Sequence, residues 1–135
     1  MSAEQFLLLA TGVHLGFQAV VTIVVYPGLV SLPSQEWARG HAAHSQRMIV
    51  VVIPVYAATM IALAWALASL DMSTPLVITA GALVLVWATT ALAAAPIHHR
   101  LSTDGPTSQL LRRLRRIDAI RLIGAAVACG SALFV

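Results

Sequence analysis

Three long stretches of this 135-residue chain contain no charged residue, and each is long enough to cross a bilayer. They run over residues 6–32, 48–70 and 72–97, whereas a helix needs about 20 apolar residues to cross a hydrocarbon core about 30 Å thick. A fourth apolar stretch, 117–135, is shorter and carries two charges. The sequence therefore predicts an all-α, polytopic membrane protein whose four transmembrane helices form an antiparallel bundle. We expect these helices at about residues 6–27, 47–70, 74–97 and 114–135.

The composition excludes an ordinary soluble domain, because 59% of the residues are apolar and only 10% are charged. The length fits a single domain over residues 1–135. The N-terminus has no basic segment like that of a signal peptide, so we expect the first helix to be retained. Cys129 is the only cysteine, so it can form no disulfide within the chain.

All eight basic residues are arginines, and they lie in or next to the connections between helices 1 and 2 and between helices 3 and 4. Basic residues in short loops mark the cytoplasmic side of a membrane. The sequence therefore predicts a multi-pass protein of the bacterial inner (plasma) membrane, with both termini outside and with loops 28–46 and 98–113 in the cytoplasm. The arginines are not interleaved with aromatic residues and form no nucleic-acid-binding motif, so we expect the partners to be the lipid bilayer and not nucleic acid. They are Arg39, Arg47, Arg100, Arg112, Arg113, Arg115, Arg116 and Arg121.

Proline and glycine predict where the helices are interrupted. We expect helix 1 to end near Pro27, which a glycine follows, and helix 3 to end near Pro96, because proline lacks the backbone N–H that continues a helix. Residues 35–44 are predicted to form a short interfacial helix before helix 2. Pro54 is expected to kink helix 2.

Helix 1 carries a polar stripe and, roughly opposite it, a pair of glycines. Thr11, His14, Gln18 and Thr22 are three or four residues apart, which places them on one face that we expect to point into protein or water. An ionisable residue near mid-bilayer, such as His14, is a candidate functional group, and the alternative is a neutral imidazole bonded to a hydroxyl such as Thr59 or Thr90. The glycines, which allow another helix to approach within the bundle or in a homo-oligomer, are Gly12 and Gly16.

The other polar side chains of the helices predict a cavity open to the cytoplasm. His41, His44 and Arg47 share a helical face, and Asp118 can pair with Arg121 three residues later. An arginine-rich mouth favours an anionic or enolate-like group on an otherwise apolar molecule. The predicted lining is His14, Gln18, Thr22, His44, Arg47, Thr90, His98, Asp118 and Arg121. The residues assigned to catalysis are His44, Arg47, His98, Asp118 and Arg121, and those assigned to substrate binding are His14, Gln18, Thr22, Trp87 and Thr90.

Histidine-rich clusters also raise the question of a cofactor, and the sequence favours none. His41, His44, His98 and His99 are candidate ligands of a transition metal, with Glu36 or Asp104 as an additional ligand. A haem held by His44 and His98 is a further alternative.

The chain resembles small uncharacterised bacterial four-helix membrane proteins and, more distantly, the anthrone-oxygenase-like family. The likeness rests on Tyr26-Pro27-Gly28, the series Trp37, His41, His44 and Arg47, Pro54, the segment Pro96-Ile97-His98-His99-Arg100-Leu101, and the arginine-rich start of helix 4. It implies a compact four-helix fold and cofactor-free oxidation of a polycyclic aromatic substrate. The residues that it implicates are His44, Arg47, Asp118 and Arg121. The chain departs from the family at Arg115-Arg116-Ile117-Asp118, where a tryptophan and a polar amide are expected.

These observations lead to three functional hypotheses. The first is a membrane-embedded enzyme, an oxidoreductase or acid–base catalyst, that acts on a hydrophobic aromatic or quinone-like molecule through a His/Arg/Asp pocket. The second is a non-catalytic membrane subunit or accessory protein. The third is a haem- or metal-binding membrane protein.

Overall fold

The structure, a computed structural model of residues 1–135, consists of four long helices and contains no strand. They are α1 (Ala3–Val30), α2 (Trp37–Ser69), α3 (Thr74–Thr103) and α4 (Ser108–Ala132). The all-α prediction is therefore confirmed. By length and composition α1, α2 and α3 could each cross a membrane, whereas α4 carries too many charges to qualify on those grounds.

Two of the helices contain a single π-helical segment just before a proline. These segments are Val21–Val25 in α1 and Thr90–Ala94 in α3, and in both the next residue donates its N–H to the carbonyl five residues earlier. Pro27 and Pro96 follow two residues after them. The wider turn leaves room for the proline ring that would otherwise clash with a carbonyl of the preceding turn. Both helices therefore continue past the prolines at which we expected them to end.

Helix α2 is continuous from its first residue to its last. It begins at Trp37 and runs through Pro54, so the separate interfacial helix expected over residues 35–44 is not formed. No proline lies between Trp37 and Pro54, and nothing else in this segment obliges the helix to stop. The indole Nε1 of Trp37 donates to the carbonyl of Leu101, 3.1 Å away, which holds the start of α2 against the end of α3.

The arginines lie on helical turns and not in loops. Arg39 and Arg47 are on α2, Arg100 is on α3, and the remaining five are on α4. The chain between the helices is short, with only residues 31–36, 70–73 and 104–107 outside them. We call the end of the bundle that holds the α1–α2 and α3–α4 connections the arginine end.

The four helices do not pack evenly around the bundle. Helix α1 packs against α2 and α4, and α4 packs against α3 most extensively of all. Among the pairs of neighbouring helices, α2 and α3 pack together least, although only four residues connect them. A cleft is therefore left between α2 and α3.

Several polar residues lie inside the bundle, and many large apolar residues lie on its surface. Eight polar or charged residues are buried, and 25 large apolar residues are exposed. A soluble protein rarely exposes so many large apolar side chains, and an exposed apolar surface of this extent marks contact with lipid or another protein. The buried polar residues are Thr11, His14, Gln18, His41, Thr59, Thr79, Asp118 and Arg121.

The buried polar residues at mid-helix are flanked by two apolar clusters. One cluster, which includes Leu7, Leu63 and Leu83, fills the end of the bundle away from the arginines. The other, which includes Trp37 and Leu101, lies at the arginine end. The helices are thus held together at both ends by apolar packing, and the polar layer between them is free to form a site.

The glycines of α1 do not mediate packing inside the bundle. A β-carbon added at Gly12 or Gly16 would meet no other atom within 4 Å. The expected contact with another helix of the bundle is therefore absent at these positions. Contact with a second copy of the chain stays a prediction.

Gly124, in contrast, lies where α4 packs tightly against α3. A β-carbon there would lie 2.7 Å from Cγ2 of Val86, whose branched side chain has little rotamer freedom in a helix. We expect Gly124→Ala to lower the free energy of unfolding by about 1–3 kcal/mol relative to Gly130→Ala, because overpacking outweighs the gain in helix propensity. Gly130 lies on the same helix with open space around it, which makes it the matched control. Thermal unfolding of both variants in detergent measures the difference, and equal stabilities would contradict this close packing.

Candidate functional site

A cleft of about 270 Å³ lies between α2 and α3 near the arginine end. One wall is apolar and includes Met48, Ile49 and Val52 of α2. The cleft reaches the outer surface of the bundle between Ile49 and Ala95, which are both exposed. A molecule can therefore enter from the side, through the apolar surface. The polar residues that line the cleft are Tyr26, His44, Ser45, Thr90, His98 and Arg121.

A directed chain of hydrogen bonds crosses the bundle beside the cleft. The hydroxyl of Thr90 lies 2.8 Å from the carbonyl of Val86, to which it donates, so it accepts from Tyr56, whose hydroxyl lies 2.7 Å away. The oxygen of Tyr56 in turn accepts from Nη2 of Arg121 at 3.2 Å. Because each hydroxyl has one hydrogen to donate, the direction of the whole chain is fixed. These bonds hold the guanidinium of Arg121 at the cleft.

Asp118 lies behind Arg121 and balances its charge. Its Oδ1 is 3.8 Å from Nη1 of Arg121 and accepts a hydrogen bond of 2.6 Å from Nε2 of Gln18. Both charged side chains are almost completely buried, at 3% and 4% exposure. The predicted pairing of Asp118 with Arg121 is confirmed. The pair makes a charged side chain tolerable inside the bundle, since a buried charge is costly unless it is paired and hydrogen-bonded.

Several buried polar atoms near this pair have no hydrogen-bond partner. They include Nε of Arg121, Oε1 of Gln18 and both ring nitrogens of His14. His14 packs edge-on against the ring of Tyr56, with centroids 5.2 Å apart, and is not bonded to Thr59 or Thr90 as its structural alternative required. Buried polar atoms usually have partners, so such a group of them indicates a place that water or the polar end of a ligand can fill.

Three of the five histidines come together at the arginine end. Nε2 of His41 lies 3.2 Å from Nδ1 of His98, and the ring of His44 stacks on that of His98 with centroids 5.6 Å apart. The other nitrogen of His98, Nε2, lies 3.2 Å from the hydroxyl of Tyr26. His99, the next residue on α3, is exposed and is not part of this stack.

The histidines do not form the cofactor sites that the sequence left open. No group of three histidine, cysteine, aspartate or glutamate side chains is arranged to hold a metal ion. The rings of His44 and His98 stack within 26° of parallel, which leaves no room between them for the plane of a haem. The donor set of the cleft thus fits proton transfer and hydrogen bonding better than metal ligation.

The structure separates the residues that we assigned to one cavity. His44, Thr90, His98 and Arg121 line the cleft, and Asp118, His14 and Gln18 are buried beyond it. Thr22 lies beside Asp118, and its hydroxyl donates to the carbonyl of Gln18. Two other residues lie elsewhere: Arg47 is exposed beside a groove against the end of α1, and Trp87 packs against the apolar cluster of Leu83.

Two tyrosines that sequence reasoning did not assign to the site have central positions in it. Tyr26 lies four residues after Thr22, so it continues the polar stripe of helix 1, which could have revealed it. Tyr56 is the only phenol within the second apolar stretch, and a buried phenol needs a hydrogen-bond partner.

No protein-family model matches the chain, and neither do curated proteins or solved structures. The resemblance that rests on the spaced residues therefore stays a prediction.

Proposed function

We propose that this protein is a small membrane-embedded enzyme that binds a lipophilic carbonyl or phenol compound in the α2–α3 cleft and transfers a proton to or from it. The observation that carries this proposal is the fixed guanidinium of Arg121 in an apolar cleft that also contains Tyr26 and His98. The guanidinium is suited to an oxyanion, the phenol and imidazole are suited to proton transfer, and the apolar wall is suited to a hydrocarbon body.

The membrane setting of this proposal rests on the surface of the bundle. An apolar exterior suits a protein surrounded by lipid. Helix α2 has 33 residues and is about 50 Å long, so it is longer than the hydrocarbon core and its arginine end extends into the headgroup region and beyond. The clustered arginines favour the cytoplasmic side for that end and the opposite side for both termini. Helix α4 crosses the bilayer together with the other three helices, because its buried charges are paired.

The proposed chemistry is the interconversion of a ketone and its enol. The C–H bond next to the carbonyl breaks, its electron pair forms the C=C bond, and the carbonyl oxygen takes up a proton. Arg121 stabilises the negative charge that develops on this oxygen, and Tyr26 and His98 supply or accept the protons. No oxidant, metal or organic cofactor is required for this step.

Binding of 2-naphthol and naphthalene tests the polar part of the proposal. The two molecules have the same fused rings, but only 2-naphthol has an oxygen that can contact Arg121. We expect the protein in lipid nanodiscs to bind 2-naphthol about 10- to 100-fold more tightly than naphthalene, because a hydrogen bond to a charged group is worth about 1.5–3 kcal/mol. Equilibrium dialysis measures both affinities, and empty nanodiscs correct for partition into lipid. Equal affinities would contradict an oxyanion site in the cleft.

Deuterium uptake by 2-tetralone tests the catalytic part. This bicyclic ketone enolises, so an enzyme of the proposed class exchanges its α-hydrogens for deuterium in heavy water. We expect the protein to accelerate this exchange over empty nanodiscs, and Tyr26→Phe to reduce the enzymatic rate by about 100-fold without changing the affinity for naphthalene. Mass spectrometry follows the exchange. If 2-naphthol binds but 2-tetralone takes up no deuterium, the protein is a binding protein and the enzymatic proposal is wrong.

A further inference from the structure

His98 lies on the boundary between two cavities. On one side is the cleft, and on the other is a depression of about 360 Å³ at the arginine end, lined in part by Trp37, His41 and Ser102. The depression reaches the outer surface at His99 and Ser102, which are exposed. His98 and Ser45 contribute to the lining of both cavities. His98 therefore lies between the apolar cleft and the water-facing side of the bundle.

An unbroken set of hydrogen bonds passes through His98 from one cavity to the other. His41, which lines the depression, lies 3.2 Å from Nδ1 of His98 through its Nε2. Tyr26, which lines the cleft, lies 3.2 Å from Nε2 of His98 through its hydroxyl. Both nitrogens of the His98 ring are thus used, one toward each cavity.

The chemistry of these groups allows the set of bonds to run in either direction. A neutral imidazole carries a hydrogen on one nitrogen and a lone pair on the other, so His98 donates toward one neighbour and accepts from the other. In one arrangement His41 donates to His98 and His98 donates to Tyr26. In the reverse arrangement Tyr26 donates to His98 and His98 donates to His41. A chain that can be reversed in this way conducts protons.

The surrounding residues hold the three groups in place. The indole of Trp37 stacks on His41, with ring centroids 5.3 Å apart, and is itself anchored to the carbonyl of Leu101. His44 stacks on the other side, 5.6 Å from His98 and 6.1 Å from Tyr26, between ring centroids. The π-helical segments precede Tyr26 on α1 and His98 on α3, and such segments alter which side chains a helix presents on one face.

We propose that His41, His98 and Tyr26 form a proton relay that connects water at the arginine end with the ligand in the cleft, an inference that rests on the proposed function. A proton arrives at His41, whose Nε2 hydrogen passes to Nδ1 of His98. The hydrogen on Nε2 of His98 then passes to the oxygen of Tyr26, and the phenol hydrogen passes to the ligand. One proton enters at His41 and one leaves at Tyr26, so the charge of the relay is unchanged. The relay resets when the two hydrogen bonds through His98 return to their first direction.

Exchange of the Tyr26 hydroxyl hydrogen with water tests the relay without any substrate. The rate can be read from the isotope effect of deuterium on the 13Cζ resonance of Tyr26 in mixed light and heavy water, and Tyr26→Phe assigns the signal. We expect His41→Gln and His98→Gln to slow this exchange tenfold or more, because it then requires local opening of the bundle. His99→Gln removes a neighbouring histidine that is outside the relay, and it should leave the rate unchanged. Exchange as fast in His41→Gln as in the unaltered protein would overturn the proposal.

Chemical rescue distinguishes a relay from a merely structural role. We expect His41→Gly to deuterate 2-tetralone about 100-fold more slowly than the unaltered protein, to bind 2-naphthol normally, and to regain activity when imidazole is added. Lost activity that imidazole does not restore in a folded variant contradicts the relay. If the unaltered protein does not deuterate 2-tetralone, the proposed enzymatic function fails, whereas the relay is still decided by the exchange of the Tyr26 hydrogen.

Discussion

Replacement of Arg121 by methionine is expected to abolish the preference of the cleft for 2-naphthol over naphthalene. The guanidinium is the only cationic side chain that lines the cleft, and methionine has a similar length but no charge or donor. A hydrogen bond to a charged group is worth about 1.5–3 kcal/mol, so the affinity for 2-naphthol should fall about 10- to 100-fold. The affinity for naphthalene, measured by the same dialysis in nanodiscs, should change little because the apolar wall is intact.

Two further variants separate a loss of binding from a loss of folding. Arg47→Met removes an exposed arginine of α2 that does not line the cleft, and we expect it to bind 2-naphthol normally. Asp118→Asn combined with Arg121→Met removes both buried charges, and we expect it to remain folded and still lack the preference. If this double variant prefers 2-naphthol as strongly as the unaltered protein, Arg121 is not the ligand-binding group.

Replacement of Asp118 by alanine is expected to destabilise the bundle far more than replacement of an exposed charged residue. It leaves Arg121, which is 4% exposed, as a buried charge whose counter-ion has been removed, and it also removes the acceptor of the 2.6 Å bond from Gln18. Breaking a buried ion pair in this way costs about 3–5 kcal/mol. Denaturant titration in detergent, followed by circular dichroism, measures the loss.

The ion pair between Arg100 and Asp104 provides the matched control. It has a similar spacing along the chain, but its side chains are 56% and 50% exposed and joined at 3.4 Å. An exposed pair of this kind contributes about 0–1 kcal/mol, so Asp104→Ala should have little effect. Asp118→Asn combined with Arg121→Met should be less destabilised than Asp118→Ala, because no unpaired charge is left. If Asp118→Ala and Asp104→Ala lose equal stability, the buried pair does not have this role.

The helical architecture was predictable because it follows from patterns within single helices. Apolar stretches and helical spacing identified the four helices, the buried stripe of Thr11, His14 and Gln18, and the pairing of Asp118 with Arg121. These are local properties, since residues three or four positions apart lie on one helical face whatever the rest of the fold does. These properties can be predicted without knowing which helices pack against each other.

The parts of the site that escaped prediction depend on how helices meet. Pro27 and Pro96 were expected to end helices, but a π turn before each proline allows the chain to continue in a helical conformation. The role of Tyr26 depends on contact with His98, 72 residues away, and no periodicity within one helix reveals such a contact. Arg47 shares a helical face with His44 by spacing, yet the cleft is narrow and does not extend around α2 to reach it.

The side opening of the cleft between Ile49 and Ala95 determines in which phase the concentration of a ligand has to be expressed when its affinity is measured. In the bilayer setting that we propose, a ligand that enters through the apolar surface comes from the lipid phase, where an oily molecule is already concentrated far above its level in water. Occupancy then follows the mole fraction of the ligand in the lipid, and the search takes place in two dimensions. A dissociation constant expressed in aqueous concentration will rise as lipid is added, whereas one expressed in mole fraction will stay constant. A cleft with a modest intrinsic affinity can thus be occupied, because the bilayer supplies the ligand at a high local concentration.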